Sequence, residues 1–375
     1  MTELIEKEFK SILNKKNFID SWFWDRYTIN PYNGCSFGCV YCDSRSAKYH
    51  MPEDFENKII IKRNVGKMLH DRIRRARTFL VDVVGMGGVT DCYQPAEKVY
   101  GNTRQCLEVL ADSGYPIHMA TKSTLVLRDL DILDTIGENS WCGISLTITT
   151  VNKEIALFLD NRSPAPGKRL ETLRQLKQKS KYIQVGVLLI PLIPYLCDSD
   201  LDLESLVQAV QDSGADYLLF GGGMTLRDQQ ALWFLNRLKR KFPLLVPKYE
   251  RLYNFSYNPE QYNGRYSPSL EYLLPKHQKL FELCEKHRLP YRIKRYIPND
   301  YRKTNYLIAE ELLNESYQGQ MLGKAWSNMF WAGQNIQNLS ESLEEIWQRN
   351  ELSKIRNVEG DIKNQIESRL KDVLQ

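Results

Sequence analysis

The sequence predicts an α/β fold, a partial (β/α)6 barrel with an α-rich C-terminal extension. Apolar runs alternate with amphipathic helical patterns from residue 28 to residue 246, which is typical of parallel strands joined by right-handed crossovers. About six strand–helix units are present, fewer than the eight that close a barrel. Beyond Pro247 the alternation stops, and ten of the chain's 21 tyrosines fall within 249–306, among Pro, Asn and Gly.

The elements can be placed by their apolar pattern. Strands are expected where apolar and β-branched residues cluster, at 28–30, 79–86, 117–121, 141–148, 182–190 and 217–220. Barrel helices are expected at 64–77, 102–111, 167–177, 202–211 and 228–241. Two more are expected at 306–314 and 340–350, the second opened by a Ser-Glu-Ser-Leu-Glu capping pattern. The chain therefore divides into an N-terminal segment (1–27), a barrel (28–246) and an extension (247–375).

The composition predicts a globular protein, and the sequence contains no apolar run long enough to span a bilayer. Of the 375 residues, 42% are hydrophobic and 26% are charged, which excludes a disordered chain. The longest apolar run, 187–197, has eleven residues and is interrupted by Pro191 and Pro194, too short to span a bilayer. The first residues contain no apolar core of a signal peptide. We expect a cytoplasmic protein with no membrane partner.

Three cysteines lie in one short loop. Cys35, Cys39 and Cys42 follow the first predicted strand with the spacing C-x3-C-x2-C, and the loop contains glycine. Thiolates are soft ligands that suit iron–sulfur clusters and zinc. A structural zinc site uses four ligands, commonly from two C-x2-C pairs, and the sequence has no second C-x2-C pair. Three thiolates on a four-iron cluster leave one iron open, as a catalytic site requires, while a zinc loop is the alternative interpretation.

Glycine and polar residues follow three of the predicted strands. In a βα barrel the active site lies at the carboxyl ends of the strands, so these residues are candidates to bind a cofactor. The alternative interpretations are that the glycine-rich segment is a flexible turn, that the lysine lies on the exposed surface and that the threonines are ordinary strand formers. The candidates are Gly87, Gly88, Thr90, Asp91, Lys122, Ser145 and Thr147.

The cysteine motif resembles the signature of the radical S-adenosylmethionine (radical SAM) superfamily, in which an aromatic residue, here Tyr41, precedes the last cysteine. Three further segments resemble the spore photoproduct lyase-like family of DNA repair photolyases within it. They read T-D-C-Y-Q-P-A-E at 90–97, T-K-S and L-V-L-R-D-L-D within 121–131, and R-S-P-A-P-G-K-R-L-E at 162–171. The likeness extends from about residue 28 to Pro194 and is weaker through the C-terminal helices.

This resemblance implies a [4Fe–4S] cluster held by the three cysteines, with S-adenosylmethionine (SAM) on the open iron. Reductive cleavage of SAM would give a 5′-deoxyadenosyl radical that abstracts hydrogen from the substrate, with electrons from a flavodoxin- or ferredoxin-type donor. Tyr41 is expected to contact adenine and Lys122 the SAM carboxylate. Thr90, Asp91 and Thr147 fall at positions that contact SAM in that family.

Two departures from spore photoproduct lyase concern its radical-return relay. Gly87 and Gly88 occupy the region of its hydrogen-donor cysteine, and Asp43 stands where it has a tyrosine, which argues against repair of spore photoproduct itself. Cys92, beside Asp91, is a candidate substitute thiol donor, although free cysteines are usually buried small hydrophobes.

A basic, tyrosine-rich stretch at 287–306 suggests a nucleic-acid substrate. It holds six Lys and Arg against one Asp, and interleaved cations and rings are what nucleic-acid grooves use. An edge segment with a solvated basic face is the alternative. We expect a base in DNA or RNA as substrate, with a peptide or small molecule second and a non-enzymatic metal-dependent nucleic-acid-binding protein third. The candidate contacts are Arg292, Lys294, Arg295, Tyr296, Arg302 and Lys303.

Overall fold

The computed structural model describes residues 2–374 and contains ten strands and fourteen α-helices within them. The strands are β1 Glu3–Lys7, β2 Leu13–Lys15, β3 Tyr27–Ile29, β4 Tyr32–Asn33, β5 Lys58–Lys62, β6 Val84–Met86, β7 Ile117–Thr121, β8 Cys142–Thr147, β9 Ile183–Leu189 and β10 Tyr217–Phe220. The helices of the first two-thirds are α1 Val65–Arg75, α2 Glu97–Tyr100, α3 Asn102–Asp112, α4 Leu130–Asn139, α5 Lys153–Asp160, α6 Pro166–Lys179, α7 Asp200–Asp212 and α8 Asp228–Lys241. The remainder are α9 Val246–Tyr253, α10 Leu270–Lys286, α11 Arg302–Met321, α12 Ser327–Gln337, α13 Leu343–Gln348 and α14 Gly360–Leu374.

The main sheet confirms the partial barrel. Its seven strands lie in the order β10-β9-β8-β7-β6-β3-β2, and β6 to β10 pair in parallel with helical crossovers between them. Three consecutive residues of β7 (117–119) and three of β8 (144–146) are all buried, as expected for strands covered on both faces. Their carboxyl ends share one edge, where the cysteine loop is found.

The second predicted strand is shorter than expected. The sequence favoured 79–86, but only Val84–Met86 pairs as β6. The Oδ1 atom of buried Asp82 accepts a hydrogen bond from the Val83 amide at 2.9 Å. Such local side-chain bonding competes with a strand ladder, so only the last three residues of the apolar run pair in the sheet.

A small second sheet was not predicted. β5 pairs in parallel with β1 and antiparallel with β4, giving the order β1-β5-β4. Ile59 and Ile61 of β5 are buried at alternate positions, the period of a half-covered strand. This sheet holds both ends of the segment that carries the three cysteines.

The chain forms two compact units, whose boundaries differ from the expected segments. The first comprises the chain up to Asn14 together with Thr28–Ile293, and the second comprises Lys15–Tyr27 and the chain from Lys294 onward. Helices α9 and α10 thus belong with the barrel. The Tyr249 and Tyr253 hydroxyls of α9 donate to the carbonyls of Pro194 and Met224 at 2.7 and 2.5 Å, and the Tyr272 hydroxyl of α10 donates to Asp198 at 2.6 Å.

The second unit is helical, and α11 is longer at both ends than the predicted 306–314. Helix α13 lies within the predicted 340–350. None of the helices within residues 2–374 combines the length and the apolar character needed to cross a bilayer.

Candidate active site

The cysteine loop begins directly after β4 and folds back on itself. The Cys35 amide donates to the Phe55 carbonyl at 2.9 Å, and the Gly38 amide donates to the Cys35 carbonyl at 3.1 Å. The Val40 amide donates to the Leu159 carbonyl at the end of α5, at 2.8 Å. Cys35 and Cys39 are buried, and Cys42 is partly buried. The loop is therefore attached to its surroundings at Cys35 and Val40 and closed on itself at Gly38.

Two positions in this loop require glycine. Gly34 has φ +83°, and a Cβ there would overlap the Lys58 carbonyl oxygen. Gly38 has φ +59°, and its Cβ would lie 3.1 Å from the Glu56 side chain. Only glycine adopts such φ values without steric cost, so the two glycines allow the tight path between the cysteines.

An arginine beyond the third cysteine holds the loop. The Nε and Nη2 atoms of Arg45 donate to the carbonyls of Cys39 and Gly38 at 3.2 and 3.0 Å. Arg45 also forms an ion pair with Glu56, and the two side chains are 6% and 10% exposed. Its guanidinium lies 4.1 Å from the centre of the Trp233 ring. Sequence reasoning missed this clamp because nothing in the local pattern distinguishes Arg45 from a surface arginine.

The three thiols lie within electrostatic range of one another. Burial raises the pKa of Cys39 to about 11, opposed by the Lys122 charge and reinforced by Cys42. Burial, the Asp91 charge and Cys39 raise the pKa of Cys35 further. Buried thiols that resist ionisation alone are deprotonated by a metal. The chemistry of this donor set therefore fits a soft, thiolate-liganded centre.

No three His, Cys, Asp or Glu side chains within residues 2–374 converge on a single point suited to one metal ion. An iron–sulfur cluster is held by thiolates on its separate iron atoms, so its three cysteines need not converge in that way. The three-thiol donor set fits such a cluster.

Lys122 lies beside this loop, at the end of β7. Its Nζ is 5.3 Å from the centre of the Tyr41 ring. Burial lowers the pKa of Lys122, but Cys39, Tyr41 and Asp160 raise it, and the result is above the ordinary lysine value. A lysine at this position is suited to pair with a carboxylate ligand. The structure brings the predicted Lys122, Tyr41 and cysteine loop together.

Tyr41 carries a buried hydroxyl without a partner. The residue is 6% exposed, and its hydroxyl oxygen has no hydrogen-bond partner among the described residues. Burial raises the pKa of Tyr41, so the hydroxyl is protonated. An unsatisfied buried polar group costs free energy, and a bound ligand in this place would supply the missing partner.

Two glycines follow β6, one packed against the neighbouring strand and one open to solvent. Gly87 has φ +86°, and a Cβ there would overlap the Ala120 carbonyl oxygen of β7. Gly88 is exposed, and no atom lies within 4 Å of the position of its Cβ. Gly87 is needed for strand packing, whereas Gly88 leaves its backbone open to a ligand.

Thr90 and Asp91 are already engaged by the framework. The Thr90 hydroxyl lies 2.7 Å from Asn30 Oδ1 and 2.8 Å from the Tyr32 carbonyl oxygen. Asp91 accepts bonds from the Thr121 hydroxyl and the Lys122 amide, each at 2.7 Å. Burial raises the pKa of Asp91 while these bonds lower it, leaving it above the ordinary value. Thr90 therefore joins its loop to the segment around β4, and Asp91 holds the backbone of Lys122.

Ser145 is not open to a cofactor. Its Oγ lies 2.7 Å from His118 Nε2 and 2.7 Å from the Tyr217 hydroxyl, and all three residues are buried. Opposite them Gly186 has no side chain, and a Cβ there would collide with the Tyr217 ring. The Ser145 hydroxyl already has two buried partners, and its contact with SAM stays a prediction. Thr147, the last residue of β8, is half-buried, and its carbonyl accepts a bond from Arg169 at 2.9 Å.

Cys92 does not face the site. It is 0% exposed, and burial followed by the Asp91 and Glu97 charges raises the pKa of its thiol. Its carbonyl accepts a 2.5 Å bond from Thr103 on α3. The role of thiol donor is therefore unsupported, and Cys92 is a buried small hydrophobe.

The basic stretch at 287–306 is not a continuous charged groove. Arg292, Arg295 and Arg302 are buried. Arg302 pairs with Asp300 at 2.6 Å, and within the second unit the Arg295 guanidinium lies 3.8 Å from the centre of the Tyr306 ring. Tyr296 is half-buried, and Lys294 and Lys303 are exposed. The burial of the three arginines does not favour phosphate contacts, which stay a prediction.

Asp43, which follows the third cysteine, joins that loop to the segment after β10. Its Oδ1 accepts a bond from the Thr225 hydroxyl at 3.0 Å, and its Oδ2 accepts one from the Tyr49 hydroxyl at 2.7 Å. Asp43 also forms an ion pair with Arg227. Sequence reasoning noted Asp43 only as a departure, since its partner arginine lies 184 positions away.

Comparison with known proteins agrees with this geometry. Residues 29–207 match the profile of the Radical SAM superfamily. An uncharacterised protein of Mycobacterium tuberculosis is 30% identical over 232 residues, which cover 61% of this chain and 67% of that protein. An uncharacterised protein of Methanocaldococcus jannaschii is 28% identical over 174 residues, covering 46% of this chain and 62% of that protein.

Solved structures share the fold. A spore photoproduct lyase variant with bound AdoMet and dinucleoside spore photoproduct has a TM-score of 0.57 to this chain at 14% identity, covering 76% of this chain and 79% of that one. Superfamily members use a [4Fe–4S] cluster and SAM, which the three-thiol loop fits. The expected resemblance is thereby confirmed: this chain belongs to the radical SAM superfamily.

Proposed function

We propose that this radical SAM enzyme acts on a base in nucleic acid, by repair or modification. The observation that carries the radical chemistry is the pinned loop that gathers the thiols of Cys35, Cys39 and Cys42 beside the Lys122 ammonium. The cluster, when bound and reduced, supplies the electron that cleaves SAM to methionine and a 5′-deoxyadenosyl radical. The remaining requirements fall on the side chains around that loop.

The residues around the loop can bind and orient SAM. The Lys122 ammonium would pair with the SAM carboxylate, because a charged lysine at a partly buried site favours a carboxylate partner. The unpartnered Tyr41 hydroxyl would hydrogen-bond the adenine. The open backbone at Gly88 would accept the approach of the methionine portion. Asp91 would act indirectly, by holding the backbone of Lys122 in place.

The nucleic-acid part of the proposal has two supports. The likeness in fold to spore photoproduct lyase covers 76% of this chain, and the carboxyl edge of the barrel carries exposed cations and rings, at Lys48, Arg265 and Tyr266. Turnover also requires an external reductant, for which we propose a flavodoxin- or ferredoxin-type protein.

Anaerobic reconstitution tests the radical chemistry. The wild-type protein, given iron, sulfide, SAM and dithionite, should form 5′-deoxyadenosine, measured by liquid chromatography and mass spectrometry. Cys39→Ala should form none, while Cys284→Ala, which removes a buried cysteine of α10, should retain formation. A colourless wild-type protein that binds zinc and forms no 5′-deoxyadenosine would overturn the proposal.

Isotope transfer tests the substrate class. Deuterated oligonucleotides, incubated with the reconstituted enzyme, should pass deuterium into 5′-deoxyadenosine. Deuterium transfer from labelled peptides or small molecules, with none from DNA or RNA, would contradict the nucleic-acid assignment while leaving the radical chemistry intact.

A further inference from the structure

A patch of aromatic and basic side chains lies beside the cysteine loop. We call it the aromatic–basic patch and define it by Lys48, Tyr49, Arg227, Arg265 and Tyr266. All five belong to the first compact unit. Lys48 and Tyr49 follow the third cysteine, and the other three come from the segments after β10 and α9. None of the five was predicted as a functional residue from the sequence.

The patch is built around the guanidinium of Arg227. That group lies 5.5 Å from the centre of the Tyr49 ring and 5.1 Å from the centre of the Tyr266 ring. Its ion pair with Asp43 fixes it, and its Nε has no hydrogen-bond partner among the described residues. Stacking of a guanidinium on aromatic rings is favourable. The two rings and the cation are therefore held as one assembly.

The outer side of this assembly is open. Tyr266 is 48% exposed, although its carbonyl accepts a 2.9 Å bond from the Leu226 amide. Lys48 and Arg265 are exposed, and Lys48 Nζ lies 5.9 Å from the centre of the Tyr49 ring. An exposed ring on a fixed backbone gives a stacking surface with little ordering cost.

The charge of the patch favours an anionic ligand. Two nearby carboxylates, Asp43 and Asp228, already have partners. Asp43 is paired with Arg227, and Asp228 accepts a 2.6 Å bond from the Ser46 hydroxyl. The exposed Lys48 and Arg265 have no ion-pair partner among the described residues. These two cations flank the rings and are available to phosphates.

The location is suited to a substrate of the radical. Lys48 lies six residues after Cys42, and Arg227 lies two residues after Thr225, whose hydroxyl donates to Asp43. It therefore lies at the carboxyl edge of the barrel, next to the loop that would hold the cluster. The buried arginines of 292–302 offer no comparable open surface.

We propose that the aromatic–basic patch binds single-stranded nucleic acid, with a base stacked on Tyr266 and phosphates contacted by Lys48 and Arg265. Single strands are bound by this combination of an open ring and flanking cations. The inference rests on the proposed function and adds to it the surface that contacts the substrate. An acidic peptide would use the cations but would not need the open ring.

Fluorescence anisotropy with a labelled single-stranded oligonucleotide tests the inference on the reconstituted holoenzyme. Tyr266→Ala should weaken binding by roughly tenfold, the usual loss for one stacked base, while Tyr266→Phe should retain the affinity. Lys48→Ala and Arg265→Ala should each reduce the slope of log affinity against log salt by about one. Tyr301→Ala, an exposed tyrosine of the second unit, is the matched control and should bind as the wild type does.

An abasic oligonucleotide separates stacking from charge. It should bind more weakly than the base-carrying probe, and Tyr266→Ala should not weaken it further. Equal loss for both probes, or loss in Tyr301→Ala, would overturn the inference, as would tighter binding of an acidic peptide. 5′-Deoxyadenosine formation is measured on the same wild-type preparation. If 5′-deoxyadenosine forms but binding does not depend on the Tyr266 ring, only the patch is refuted. If binding depends on the ring but no 5′-deoxyadenosine forms, the radical chemistry is refuted.

Discussion

Removing the Arg45 side chain should loosen the cysteine loop and destabilise the protein. The Arg45→Ala variant loses two hydrogen bonds to loop carbonyls, at 3.2 and 3.0 Å, and leaves Glu56 without its buried partner. Breaking one side of a buried ion pair costs about 3–5 kcal/mol. Because half-exposed Arg162 still lies 3.5 Å from Glu56, we expect the lower end, about 3 kcal/mol.

Urea unfolding followed by tryptophan fluorescence measures this loss. A double variant, Arg45→Met with Glu56→Leu, removes both charges and should recover most of the free energy of unfolding, because an apolar pair replaces a buried ion pair at little cost. Its loop carbonyls remain unheld, so its iron content after reconstitution should still fall. If Arg45→Ala unfolds at the same urea concentration as the wild type, or if the double variant binds the full amount of iron, Arg45 does not hold the cysteine loop.

Three other predictions concern the site and the second unit. Lys122→Ala should weaken SAM binding in isothermal titration while leaving iron content unchanged; loss of iron would mean a structural role. Gly87→Ala should lower the melting temperature because its Cβ overlaps a carbonyl of β7, whereas Gly88→Ala, with open space, should not. The Arg302 hydrogen bond holds the pKa of Asp300 below its ordinary value, so the pair stabilises above pH ~4 and is lost on further acidification. In Asp300→Asn, the free energy of unfolding should fall less steeply below pH ~4 than in the wild type. An unchanged pH dependence would contradict this role of the pair.

The barrel could be predicted from sequence because its signals are local. β7 and β10 have the predicted ends, and α8 begins and ends as predicted, since each apolar run is bounded by turn or charged residues. β6 is shorter, because the side chain of one buried residue, Asp82, bonds the next amide. The β1–β5 pairing joins segments far apart in the chain, and no local pattern predicts such a partner.

The part of the site that could be predicted is the part in which the residue types themselves indicate the chemistry. The three cysteines, Tyr41 and Lys122 do come together. The sequence does not show that the Ser145 hydroxyl has two buried partners or that Cys92 is fully buried. The burial of the three arginines was not predictable for a related reason. A guanidinium beside tyrosines is equally suited to internal packing and to nucleic acid, and only burial distinguishes them.

The buried contact of His118, Ser145 and Tyr217 has a consequence for the radical chemistry. These side chains lie on the strand face that also carries Lys122, and they fill the barrel below it. The interior of the barrel is therefore filled by side chains at this level. A substrate would accordingly reach the SAM site from the carboxyl edge of the strands and not through the interior of the sheet.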